Sequence, residues 1–239
     1  MPLRSISLGV LLLVACGPDI PPRAARDFES EAPRDDTQSR LEEDLARVRV
    51  AMRELCGAHC GSVVLIAEPG VRSAETRPQA PGYASFIAYN PRARDCARHP
   101  DASIRFYCMA HEYGHHLDVT MNPAWSSDGW TRELRADALA GCAFARAHVS
   151  MDGIQGSLVR AVLLDTPAGR ARAEACGSDG AHPGFRFSWD ALHRGARLCS
   201  ERTPTLPEIA ESVEALSLAA RSSSIEAFSR EAGGDCSPR

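Results

Sequence analysis

An α+β fold is predicted by three observations on this sequence. Two apolar runs of strand character both lie before residue 91, helical periodicity dominates everything after them, and no internal repeat occurs. The bulk composition agrees with a packed domain: 44% hydrophobic and 24% charged residues are ordinary for a globular chain. A net charge of -4 in 239 residues is too small to argue for nucleic acid as a partner. Residues 39–239, about 200 in number, suit one domain with a sizeable core.

The front of the chain reads as address and tether. Arg4 supplies a short positive region, and Ile6 to Val14 form an apolar run too short to span a bilayer as a stable helix. Leu13-Val14-Ala15-Cys16 resembles the bacterial lipobox. That resemblance implies that residues 1–15 are a signal peptide and that Cys16 is acylated, which would hold the protein to a membrane surface. A plain secretory signal with a chance cysteine is the alternative. Gly17, rather than Asp, leans the expected address toward the outer membrane of an exported lipoprotein. Residues 16–38 are rich in Pro, Arg, Asp and Glu, so they cannot offset their ordering entropy by burial and are expected to be a flexible tether.

The domain elements follow in order. Ser39 and Glu42 form a capping-box pattern ahead of Leu41, Leu45, Val48, Met52 and Leu55, which predicts an amphipathic helix ending at Gly57. Residues 62–68 (SVVLIAE) predict a strand stopped by Pro69-Gly70, which opens a polar loop with three prolines, Pro69, Pro78 and Pro81. Residues 83–89 (YASFIAY) predict a second strand. Helices are expected over 104–120, 131–149, 167–175, 186–199 and 206–230, the third of these opened by an N1 proline at Pro167.

Of nine cysteines, eight remain once Cys16 is set aside. An even number in an exported chain predicts disulfides, and eight cysteines permit 105 pairings. Cys56 and Cys60, with His59 between them, have the look of a metal knuckle. Structural bridging is the stronger reading, because no second ligand pair stands at matching spacing.

The chemistry concentrates in His111-Glu112-Tyr113-Gly114-His115. Two histidines four apart share one helix face, so both imidazoles can reach a single ion. Neutral imidazoles suit Zn²⁺, and Glu112 beside them can act as general base on solvent. A catalytic zinc site needs a third protein ligand and an open position. Glu133, at the start of the next helix, supplies that ligand, and Asp137 one turn later can accept a hydrogen bond from a ligand histidine's free ring nitrogen. Ala136, Ala138, Ala140 and Gly141 are small enough for two helices to approach closely. His116 faces away from the pair and reads as structural; Tyr113 reads as packing.

HEYGHH followed by ELRADALAGCAFA resembles the gluzincin pattern of HExxH plus ExxxD. The likeness is to the bacterial neutral zinc metallopeptidases and, more broadly, to CAAX-prenyl-endopeptidase-like peptidases. It is strong over 105–149 and weaker as far as Cys199. It implies a zincin-like fold binding one Zn²⁺ through His111, His115 and Glu133, with Glu112 as catalytic base. It also implies that the SFIAY segment is an edge strand on which a protein or peptide substrate lies extended. Relatives often place an Arg six residues after the His of a C-terminal His-Pro motif; here that position is Ser188, while Arg186 lies four after His182. His182 and Arg186 are thus candidates either for transition-state stabilisation or for capping a loop.

Three functions compete on this sequence. The first is a membrane-tethered zinc peptidase that hydrolyses exported proteins or peptides. The second is a catalytically silent zincin-fold lipoprotein serving as a binding or chaperone-like module. The third is a disulfide-stapled structural domain without metal.

Overall fold

Leu41, Leu45, Val48, Met52 and Cys56 recur at helical spacing and are all buried, and the chain around them forms helix α1, Asp36–Cys56. The computed structural model describes residues 36–77, 85–121, 129–154, 183 and 185–231, with backbone alone at 58–59, 121, 185 and 221–231. Helix α1 starts three residues before the expected cap at Ser39, so residues 36–38 belong to the helix and not to a tether. The reason is local: Asp36 pairs with Arg40, and Gln38 Nε2 donates to Glu42 Oε1 at 2.8 Å, both one helical turn apart. Ser39 and Glu42 therefore lie inside α1.

A 3-10 turn, Gly57–Cys60, follows and is closed by a Cys56–Cys60 disulfide. Gly57 at φ 52° and Gly61 at φ 56° take the left-handed backbone that this reversal demands. Strand β1 is Val64–Ala67, β2 is Ala74–Arg77 and β3 is Phe86–Tyr89. They form one mixed sheet in the order β1-β3-β2, with β3 parallel to β1 and antiparallel to β2.

Two expectations are corrected here. The segment after Pro69-Gly70 is not all loop, because Ala74–Arg77 pairs with β3. The SFIAY segment is not an edge: β3 is the middle strand, hydrogen-bonded on both sides and buried at Ile87, Ala88 and Tyr89. Its backbone groups are already spent. The edge that packs against the next helix is β2.

Helix α2, Ala102–Met121, begins behind Asp101, whose Oδ1 accepts from the Ser103 amide at 2.8 Å. Helix α3, Gly129–Ala147, runs back beside it: rising numbers on α2 (Tyr107, His111, Gly114) meet falling numbers on α3 (Asp137, Ala136). Helix α3 ends at His148, which takes φ 51° in a Schellman form as the Val149 amide reaches Phe144 O at 3.1 Å. Helices α4, Phe185–Glu201, and α5, Leu206–Glu231, complete the described fold. The expected helix over 167–175 lies outside the described residues, as do Cys16 and the expected signal peptide.

Helix α3 is the axle of the domain, packing on α1, α2, α4 and α5. Its small residues make this possible. A Cβ on Gly141 would fall 1.9 Å from Leu192 O, and one on Gly195 would fall 1.8 Å from Ala138 O, so α3 and α4 touch backbone to backbone. Cys142–Cys199 clips the same two helices, and Cys96–Cys108 ties the loop before α2 to that helix. Cys176 and Cys236 lie outside the described residues. The result is α+β, mostly helical, with a three-stranded mixed sheet. Among the described residues no helix is long and apolar enough to cross a membrane.

Candidate metal centre

One face of α2 carries Tyr107, His111 and His115 at successive helical turns, and the second and third turns of α3 bring Glu133 and Asp137 opposite them. The crossing is close because Gly114 has no side chain: a Cβ there would stand 2.9 Å from both Cα and O of Ala136. At that separation His111 Nε2 lies 3.1 Å from His115 Nε2 and 3.2 Å from Glu133 Oε2, while His115 Nε2 lies 3.4 Å from Glu133 Oε2. The three side chains are 12–17% exposed, enclosed but reachable.

Three potential donor atoms converge here, a group able to hold a metal ion. Their mutual spacing tests the fit. Ligand atoms about 2.0–2.1 Å from one tetrahedral ion stand about 3.3 Å from each other, which the observed triangle matches. Two imidazoles and one carboxylate are also a borderline donor set of the kind Zn²⁺ takes.

The surroundings hold this triangle in place. Asp137, 1% exposed, faces His111 Nδ1 through Oδ1 at 2.9 Å, which fixes the ring so that Nε2 points at the centre. The same oxygen accepts from the Tyr107 hydroxyl at 2.6 Å. Burial first, and then the Asp137 charge, hold the Tyr107 phenol well above its ordinary pKa, so it stays a donor. For His111, burial disfavours the charged ring, but Asp137 and then Glu133 outweigh it and hold the pKa well above the ordinary value. A cation is therefore welcome at this spot, and proton and metal compete for it.

Glu112 is 7% exposed and points elsewhere: Thr76 Oγ1, from β2, lies 2.9 Å from its Oε2 and 2.7 Å from its backbone O. Behind the centre, Asp118 and Arg135 form a buried two-pronged ion pair between α2 and α3, at 2.6 and 3.1 Å. On the far side of α2, Tyr113 donates to Cys60 O at 2.7 Å and His116 Nε2 lies 3.3 Å from the same carbonyl. Burial pushes the Tyr113 phenol up to about 12 and His116 down, consistent with a neutral docking pair under the Cys56–Cys60 loop.

The structure thus gathers His111, His115, Glu133 and Asp137 into one cluster, while Glu112, the next residue after His111 on α2, is held by Thr76. It does not gather all the candidates. Arg186 is exposed at the start of α4 with its guanidinium 4.4 Å over the Phe187 ring, and no described contact joins it to the cluster. His182 lies outside the described residues. Two participants went unread in the sequence. Tyr107 stands four before His111, so the helical period marked it. Thr76 had no such signal, being part of a segment read as loop. Comparison with family models, with curated proteins and with solved structures finds no match for this chain.

Proposed function

We propose that this chain is a zinc-dependent peptidase that hydrolyses peptide bonds in exported proteins or peptides. The observation that carries the reading is the convergence of His111, His115 and Glu133 at tetrahedral spacing, with the buried carboxylate Glu112 next to His111 on α2. Zn²⁺ held there supplies a Lewis acid that polarises a carbonyl and lowers the pKa of a water molecule toward about 7.

The chain's own groups would do the rest. Glu112 accepts the proton of the attacking water and returns it to the leaving amine, so atoms and charge balance over the cycle. Asp137 and Tyr107 keep His111 in the tautomer whose Nε2 is free to bind. Strand β2 is the edge of the sheet in contact with α2, and an extended peptide substrate could pair with it near that helix. These features support a zincin-like arrangement in which β2, not β3, is the receiving strand.

The address is part of the same proposal. The Leu13-Val14-Ala15-Cys16 sequence supports an exported, lipid-anchored peptidase of a bacterial envelope, tethered through Cys16. Replacing Cys16 by Ala should abolish incorporation of labelled fatty acid.

The activity is tested with the full chain, by metal analysis and by cleavage of a quenched-fluorescence peptide library. One zinc per chain is expected, with cleavage that Glu112→Gln removes while the metal stays bound. Undiminished cleavage by Glu112→Gln, or no zinc uptake by the wild type, would refute the proposal.

A further inference from the structure

Glu112 presents a puzzle of placement. It follows His111 directly and is buried, yet it is not among the residues whose donor atoms converge on the centre. A carboxylate is chemically able to ligate zinc, and a fourth protein ligand would close the position that water or substrate must enter.

Thr76 is what engages Glu112 instead. Its hydroxyl contacts carboxylate oxygen Oε2 at 2.9 Å and the main-chain oxygen of the same residue at 2.7 Å. The single hydroxyl proton is shared between these two oxygens of the same residue, so Thr76 ties the carboxylate to the backbone of α2. Thr76 is fixed in turn: it is in register with Ile87 of β3, and the next residue, Arg77, pairs with Glu68 at 2.8 Å. Among the described contacts no other side chain holds Glu112. We propose that Thr76 is a positioning residue that keeps the Glu112 carboxylate beside the metal centre and off the ion, preserving an open coordination position. This rests on the metal-centre reading above.

Full-length protein loaded with Co²⁺ reports the coordination shell through its visible absorption, independently of turnover. Thr76→Val removes the hydroxyl while keeping the branched shape that suits a strand, and Thr76→Ala is a second variant without it. Both should shift the Co²⁺ band as the carboxylate enters the shell, whereas Thr76→Ser should give the wild-type spectrum. In the zinc form, kcat should fall about 10- to 100-fold with KM little changed, and serine should restore it. Hydroxyl-free variants that bind Co²⁺ with an unaltered spectrum overturn the proposal and leave the peptidase reading standing. A wild-type chain that takes up no Co²⁺ sinks both.

Discussion

Gly114 and Ala136 meet main chain to main chain: a Cβ on the glycine would stand 2.9 Å from both Cα and O of the alanine. Backbone on both sides leaves nothing flexible to yield. Gly114→Ala should therefore push α3 away from α2, at a cost of about 1–3 kcal/mol. Since His115 is the next residue and Glu133 lies one turn from Ala136, zinc affinity should fall with stability. Urea denaturation and a zinc titration check this, and wild-type values in both would contradict it.

Asp137 turns the His111 ring, so its loss should weaken the centre without removing a ligand. Asp137→Ala is expected to lower zinc affinity about 10- to 100-fold. Tyr107→Phe, which removes only one donor to that carboxylate, should have a smaller effect in the same direction. Competition with a chromophoric chelator measures both.

The Asp118–Arg135 pair is 4% exposed on each side. Asp118→Ala leaves a guanidinium buried without its carboxylate and should cost about 3–5 kcal/mol in urea denaturation. Replacing both partners with apolar residues, Asp118→Leu with Arg135→Met, should cost much less. Equal losses in the two proteins would mean that packing, not charge, dominates there.

Helix α5 carries a pH-dependent cap. Thr205 and Glu208 form a reciprocal capping box, with the Thr205 amide 2.6 Å from Glu208 Oε2, and Arg202 pairs with the same carboxylate. Arg202 first, then the Thr205 amide and hydroxyl, draw the Glu208 pKa from its ordinary 4.5 down to about 2. A depressed carboxylate contributes stability that is complete above about pH 4.5 and lost as pH falls toward 2. Glu208→Gln should therefore differ most from wild type at neutral pH, and the two melting curves should approach each other at the acid end of that window.

The cluster that could hold a metal was legible because its spacing is periodic. His111 and His115 differ by one helical turn, and Glu133 and Asp137 repeat that interval on the next helix, so residue types and spacing alone drew the cluster. The sheet was harder. Ala74–Arg77 carries no alternation of apolar residues, and its pairing with β3 is a long-range contact that local pattern does not contain. The middle position of β3 did leave a trace: FIAY is a continuous apolar run, which suits a strand buried on both faces better than an edge. The start of α1 was set by side-chain pairs at Asp36 and Gln38 that outweigh the capping pattern at Ser39. Thr76 was invisible for the same reason as its strand.

That Glu133 rides on α3, the helix enclosed by four others, has a consequence for how such a protein changes over time. A substitution along this helix would disturb the core as well as the candidate centre, so selection for folding would also guard the placement of Glu133. Under the proposed peptidase function, new preferences for substrate would then arise elsewhere, at exposed positions of β2 such as Glu75 and not at Thr76.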